Sequence, residues 1–370
     1  MNRFIESDGT SEAFEALALD VFAYQFENVP VYARLCERRG IDPGRVASWT
    51  QIPPMPADVF KLELITDGLP RPHVFTSSGT TRGAGNTSRH ALRDLETYRL
   101  SALSHFQKMV LPDTPGPMSV LLLGPSAVTH ANSSLGCMYS WCMESFADDH
   151  PCEAFDADGQ VDLERATQWL RERAAAAAPV MILAVSSALS ALFDELRRQD
   201  HSQTGGPIRL PADSRIVDTG GRKTTGQRVL SSKGILKAAW RYLHVPAYAC
   251  INEYGMTEML SQLYDDCLLS RTQGRFTPRA KTGPPWLRTT VVDPADLQPV
   301  ASGRTGVLQQ LDLANWDSVS CLQTLDLGRE HGCGIELLGR AAGAETRGCS
   351  QLMAELPEQA LAGGGPGGEE

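Results

Sequence analysis

The chain has 370 residues, 42% hydrophobic and 21% charged, with a formal net charge of −10. This composition is globular and excludes a disordered or collagen-like chain. The acidic balance argues against a broad face for nucleic acid or for an anionic membrane, and leaves room only for a local basic pocket, such as one for a nucleotide. The length suits one large domain or two to three ordinary ones. No apolar run approaches about 20 residues, so no membrane span is expected. The start, MNRFIESDGTSEAF, lacks the apolar centre of a signal peptide. Nine cysteines are scattered without a CxxC pair. That pattern speaks against a disulfide framework and a structural zinc site, and the expectation is a reducing cytoplasm with most thiols as small core residues.

In chain order, apolar residues at helical spacing (Phe14, Leu17, Val21, Phe22, Phe26) predict a helix from Ser11 towards Arg39, interrupted at Pro30. IPPMPADVF reads as a proline-rich turn. VFT leads into the hydroxyl-rich loop SSGTTRGAGNTS, and residues 90 to 110 read as an amphipathic helix. MSVLLLG and VMILAVSSA are buried strands. DLERATQWLRERAAAAA is a helix by propensity and charge pairing, and a further helix follows the second strand through Leu196. SRIVDTGG is a strand ending in a glycine turn, residues 229 to 243 a helix, and PAYACINEYG a strand running into a loop. Strands alternating with helices predict an α/β body built on mainly parallel sheets with flanking helices. From about Thr289 short strands and turns replace helices. The resulting expectation is an α/β body over 1–288, a β-rich subdomain over 289–340 and a short segment over 341–370 ending in the low-complexity GGGPGGEE. No internal repeat is visible.

Four segments have residue types suited to chemistry. In the first, Thr76, Ser77, Ser78, Thr80 and Thr81 offer hydroxyls, while Gly79, Gly83 and Gly85 let backbone amides approach an anion. The set suits phosphate oxygens or a plain surface loop equally, and no Walker A pattern is present. The second is INEYGMTE. Tyr254 offers a flat face for a base, Gly255 a sharp turn, and Thr257 with Glu258 oxygens for phosphate and Mg2+; the alternative is a strand-to-helix junction capped by Thr257. The third, DTGGRKTTG, is a glycine turn beside a base or phosphate, or a tight turn with a solvated basic pair at Arg222 and Lys223. In the fourth, LDLGREHGCGIELLGR, Asp326 could accept two hydrogen bonds from a ribose diol, and Arg329 and Arg340 could meet phosphate or brace the turn.

These segments, in this order, resemble the adenylate-forming enzymes, which activate carboxylates with ATP. SSGTTRG is similar to their Ser/Thr/Gly phosphate loop, EYGMTE to their Y-G-x-T-E motif, DTGG to their adenine-facing turn, and LDLGR with LLGR to their ribose aspartate and following arginine. TGPPWLRTTVVDP and GRTGVL are similar to the β-rich stretch between. The likeness covers about two-thirds of the chain. Within that superfamily, FENVPVYARLCERRG, PPMPADVFK, GMTEMLSQLYD and ETRGCS are similar to the acyl-protein synthetase (LuxE-type) family of bacterial fatty-acid reductase complexes. The phenylacetate–CoA ligase branch is the nearest rival.

The resemblance implies an adenylate-forming N-terminal-domain fold with ATP and Mg2+ as cofactors. Ser77, Ser78, Gly79, Thr80, Thr81 and Gly83 would hold the triphosphate. Gly220, Gly221, Arg222, Tyr254 and Gly255 would surround the adenine. Thr257 would contact phosphate, Glu258 hold the metal, Asp326 bind the ribose, and Arg340 lie nearby. His130, in VTHANSSLG, falls where related ligases place a residue beside the substrate carboxylate, or else at a helix end. Two departures stand out. The phosphate loop lacks the usual Pro-Lys ending, and no Lys follows Lys281, so a full C-terminal lid with its lysine is not expected. The expected acyl acceptor is Cys349 in TRGCS, with Arg347 close enough in sequence to lower its pKa. The implied reaction is activation of a fatty acid and its transfer to Cys349, for delivery to a partner reductase. No G-x-G-x-x-G follows a strand here, so NADPH belongs to that partner. The alternatives are a small carboxylate–CoA ligase and a catalytically silent nucleotide-binding subunit.

Overall fold

The runs SVLLL and VMILAV are apolar at every position, which in an α/β chain marks strands covered on both faces. In the computed structural model, which describes residues 1–7, 9–62, 64–77, 87–114, 116–220 and 229–341, they become the strands Ser119–Leu123 and Val180–Val185, buried almost throughout. The chain divides into two compact units. One contains Met1–Ser104, Met256–Gln262 and the chain from Gly283; the other contains His105–Gly255 and Leu263–Thr282.

In the second unit the strands Cys152–Glu153, Ser119–Leu123, Val180–Val185, Arg215–Thr219 and Cys250–Tyr254 lie side by side in that order, all parallel. Leu263–Asp265 and Lys281–Thr282 extend the edge antiparallel. The helices Ser134–Phe146, Leu163–Ala175 and Ser186–His201 make the crossovers. Leu121, Ile182, Ile216, Leu170, Leu189 and Phe193 belong to one buried cluster, each contributing about 1.5–3 kcal/mol by leaving water. The strand order is that of a doubly wound sheet whose direction of growth reverses beside Ser119–Leu123. In such sheets ligands bind at the carboxyl ends of the strands flanking the reversal. Tyr139 stands there, its ring 2.9 Å from where a Cβ on Gly124 would sit, so that position has no room for a larger residue.

In the first unit the helices Ser11–Asn28 and Pro30–Arg38 pack together, Thr10 capping the first and Pro30 opening the second. Leu287–Val292, Gly306–Asp312, Cys321–His331 and Gly334–Arg340 form an antiparallel meander, and Met55–Pro56 pairs with Cys321–His331 in parallel. Buried Gln25 ties the long helix to this sheet, its Nε2 donating to Asn315 O at 3.0 Å and its Oε1 accepting from Ser320 Oγ at 2.9 Å. His73–Thr76 and Arg89–Leu92 form a separate antiparallel pair.

Residues 90 to 110 do not form one helix as the spacing predicts. Arg89–Leu92 is a strand and the helix is Glu96–Val110. The hairpin across the hydroxyl-rich loop requires extended backbone on both sides, and this overrides the local periodicity. VMILAVSSA likewise divides, with Ser186 already opening the helix Ser186–His201. Of the nine cysteines, eight are described, all unpaired. Cys36, Cys137, Cys142, Cys152, Cys250 and Cys321 are buried, Cys267 is partly covered and Cys333 is exposed. Among the described residues no helix is long and apolar enough to cross a membrane.

Candidate active site

In the first unit the site is built around the stems of the hydroxyl-rich loop. Ser77 N donates to Ser88 O at 3.0 Å, and Ser88 N to Ser77 Oγ at 3.0 Å, which closes the hairpin at the loop's base. Two residues on, His90 is fully buried, its ring packed edge-on against Phe60 at 5.5 Å. Its Nδ1 lies 2.7 Å from Thr257 O. A carbonyl only accepts, so Nδ1 carries the proton. Burial pushes the His90 pKa down to about 4 against the pull of the Thr257 carbonyl and of Asn315, and the ring is therefore neutral near pH 7. Asn315 Nδ2 donates to Glu258 O at 2.9 Å and to Val319 O at 2.8 Å. The backbone of Thr257 and Glu258 is thus clamped from both sides, by His90 and by Asn315.

The Glu258 side chain is 7% exposed. Burial raises its pKa, while the Ser88 hydroxyl, the backbone amide of Glu258 and the Lys61 ammonium stabilise the carboxylate. Lys61 pairs with Asp58 at 2.6 Å in the turn that follows PPMP. Thr257 opens no helix, since the next one is Cys267–Thr272, so the segment is not a helix cap. Instead Leu260 N, Ser261 N and Ser261 Oγ bind the buried Asp312 carboxylate at 2.9, 2.9 and 2.6 Å. Asp326 and Arg340 are direct partners in the ladder between Cys321–His331 and Gly334–Arg340. Arg329 braces that hairpin through Glu336 at 2.7 Å.

In the second unit Gly220, Tyr254, Gly255 and His130 all lie at or beyond the carboxyl ends of parallel strands. Gly220 takes φ +98°, a region that favours glycine. Asp218 is buried, with Ser186 Oγ at 2.8 Å and Asn252 Nδ2 at 3.0 Å from its Oδ2; Ser186 Oγ also donates to Gly220 O at 3.0 Å. Burial raises the Asp218 pKa, and Ser186, Lys281 and Asn252 oppose the rise. His130 accepts or donates at 2.9 Å with its neighbour Thr129, and its ring centroid is 5.9 Å from that of Phe155.

Ser78, Gly79, Thr80, Thr81, Gly83, Gly221, Arg222, Arg347 and Cys349 lie outside the described residues. The described candidates fall into two sets: Ser77, Thr257, Glu258, Asp326 and Arg340 in the first unit; Gly220, Tyr254, Gly255 and His130 in the second. Sequence reasoning missed Ser88, His90, Asn315 and Asp312, which hold the Thr257–Ser261 segment. The polar step NTSRH at the loop's far end was a signal for the first two, masked by the helical spacing that begins there.

The profile of the family "Acyl-protein synthetase, LuxE" matches residues 4–357 of the 370. The chain belongs to the acyl-protein synthetase family. It is accordingly a ligase of the AMP-forming type. It is 22% identical to the long-chain-fatty-acid–luciferin-component ligase of Vibrio harveyi over 351 residues, 92% of this chain and 86% of that protein. An open-conformation structure of 2-hydroxyisobutyryl-CoA ligase, in complex with 2-HIB-AMP and CoA, superimposes with a TM-score of 0.61 at 15% identity. The match covers 89% of this chain and 69% of that one. A post-adenylation structure of the same ligase gives 0.60 at 15% identity, over 89% and 67%. The synthetase thus has the adenylate-forming fold expected from its motifs.

Proposed function

We propose that the synthetase joins a carboxylic acid, of the long-chain fatty class, to the AMP portion of ATP, and then moves the acyl group to its own Cys349 for delivery to a reductase. The observation that carries this reading is the grip of the loop stems on the Y-G-x-T-E segment: Ser88 supports the Glu258 carboxylate, and His90 holds Thr257 O at 2.7 Å. Hydroxyls suited to phosphate and a buried carboxylate suited to a hard cation are thereby anchored to one framework.

In the first step a carboxylate oxygen attacks the α-phosphorus of ATP. The bond to the β-phosphate bridging oxygen breaks, and pyrophosphate leaves with its electrons. Negative charge grows on phosphate oxygens, and hydroxyl donors such as those of Ser77 and Thr257 would stabilise it. Glu258 and Thr257 present oxygen donors alone, the chemistry that Mg2+ prefers, and one carboxylate completed by substrate phosphates is a usual Mg2+ arrangement. Glu258 fits that role because its buried carboxyl, raised by desolvation, gains from a neighbouring cation. Bound there, Mg2+ would supply neutralisation of the phosphate charge. Asp326 would take the ribose hydroxyls, with Arg340 opposite it in the ladder, and Gly220 and Tyr254 would flank the base. In the second step the Cys349 thiolate attacks the acyl carbon and AMP departs, leaving a thioester.

The test is incubation with ATP, Mg2+ and a panel of carboxylic acids, reading pyrophosphate and intact mass. The expected result is pyrophosphate release with long-chain acids and one acyl adduct on the protein. Cys349→Ala should still release pyrophosphate but acquire no acyl mass. An adduct that survives this substitution overturns the acceptor. Acyl-CoA formed on adding CoA, with no adduct, supports the small CoA ligase, and absence of pyrophosphate with every acid supports a silent subunit.

A further inference from the structure

Glu253 immediately precedes Tyr254 and ends no ion pair among the described residues. It is 3% exposed, and among the described residues its Oε2 has no hydrogen-bond partner. It sits near the carboxyl end of Cys250–Tyr254, directly opposite Thr219 in the parallel ladder, with Tyr264 opposite it on the other side. From that neighbouring position the Thr219 side chain lowers the Glu253 pKa as a hydrogen-bonding group. Thr219 Oγ1 is also 2.7 Å from Tyr139 Oη, which in turn lies 3.1 Å from Ala184 O. Thr219 is followed by Gly220, the positive-φ residue whose carbonyl Ser186 holds.

We propose that Glu253 is a positioning residue whose single proton sets the direction of a hydrogen-bond chain, Glu253–Thr219–Tyr139, that orients the Thr219–Gly220 turn. The inference rests on the adenylating reading, in which that turn faces the nucleotide base. Each hydroxyl has one proton, so the chain has two consistent directions. With Glu253 neutral, its O–H donates to Thr219 Oγ1, Thr219 donates to Tyr139 Oη, and Tyr139 donates to Ala184 O. With Glu253 charged, Thr219 turns its proton to the carboxylate and Tyr139 donates to Thr219, releasing Ala184 O. A structural carboxylate would have both oxygens satisfied; this one has a spare acceptor and a reversible neighbour.

The surroundings allow the exchange near neutral pH. Burial raises the Glu253 pKa to about 7, with Thr219 and Lys281 lowering it and Asp218 raising it further. Lys281, on the strand Lys281–Thr282, is committed to Asn252 O at 2.7 Å and to Asp265 at 3.2 Å, and Asp265 also holds Arg279 at 2.6 Å. Tyr139, from the helix Ser134–Phe146, is pushed well above the usual phenol range by burial and stays protonated. Tyr264, facing from the neighbouring strand, donates to Met138 Sδ at 3.7 Å. Tyr139 therefore keeps its proton while that of Glu253 is exchanged as pH crosses 7.

The experiment is the KM for ATP, from pyrophosphate release, between pH 6 and 8.5 for the wild type, Glu253→Gln and Tyr139→Phe. The wild type should show an inflection near pH 7, with KM rising about fivefold on the alkaline side, the worth of about one hydrogen bond. Gln has a permanent N–H for Thr219 and cannot titrate, so Glu253→Gln should hold one KM across the range. Tyr139→Phe keeps the ring but cuts the chain, and should flatten the profile with Glu253 in place. If both variants keep the wild-type inflection, the positioning role is overturned while the adenylating reading stands. If the wild type releases no pyrophosphate from any acid, the reading fails and the role falls with it.

Discussion

Asp312 and Glu253 are both buried carboxyls, one in each unit, and they are used in opposite ways. Asp312 is 0% exposed and accepts from Leu260 N, Ser261 N, Ser261 Oγ and Ala314 N at 2.9, 2.9, 2.6 and 3.1 Å. Even so, burial lifts its pKa to about 6. Among the described residues Glu253 has one hydroxyl partner, Thr219, and none at Oε2. The first is a knot: four donors converge on it, and three of them are backbone amides that cannot turn away. The second is a hinge in a chain of hydroxyls. Desolvation is shared by both; the number of fixed donors separates them, and it decides whether a buried acid serves folding or chemistry.

The largest effect should come from untying the knot. Asp312→Ala strands three backbone amides, and should cost on the order of 4 kcal/mol, read from the urea midpoint at constant m-value. A loss below about 1 kcal/mol would mean water replaces the carboxylate readily, and the contrast would collapse. Glu253→Gln should be tolerated at pH 7, because one amide replaces one singly bonded acid.

Next in size is the pH dependence of stability. Burial raises Glu253 from 4.5 to about 7 and Asp312 from 3.8 to about 6. The folded chain therefore holds protons that the unfolded chain has released. Stability from these groups is full below their ordinary values, falls as pH rises towards 7, and is level above. Glu253 alone accounts for about 3 kcal/mol of that fall. Melting curves of Glu253→Gln should lose that part of the slope between pH 4.5 and 7; an unchanged slope would assign the titration elsewhere.

The smallest effect tests the clamp. His90→Ala removes the donor to Thr257 O and should lower kcat/KM about tenfold, the equivalent of about 1.4 kcal/mol. His90→Asn, which keeps an N–H at similar reach, should recover most of it. Equal losses in both would make His90 a packing residue against Phe60 rather than a support for Thr257.

Much of the fold was legible because its signals are local. Ser119–Leu123 and Val180–Val185 are continuous apolar runs, and the charge-paired helix Leu163–Ala175 follows its propensity. The candidate site was legible as an order of motifs. What escaped was set by distant partners. Arg89–Leu92 is extended because Phe75 faces His90 across a hairpin, although its sequence continues into a helix. Asn315, which supports Glu258 O, has its own carbonyl held by Gln25, 290 residues away. Glu253 stands just before the Y-G-x-T-E motif and carried no signal of its own; only the ladder pairs it with Thr219.

The central claim is attack of a carboxylate on the α-phosphorus at Thr257–Glu258. It is tested most directly with an acid labelled with 18O in its carboxylate, following the label by mass spectrometry after acyl transfer. The account predicts one 18O in AMP and none in pyrophosphate, with turnover lowered about 100-fold in Glu258→Gln. Label in inorganic phosphate beside ADP, or unlabelled AMP, would contradict it.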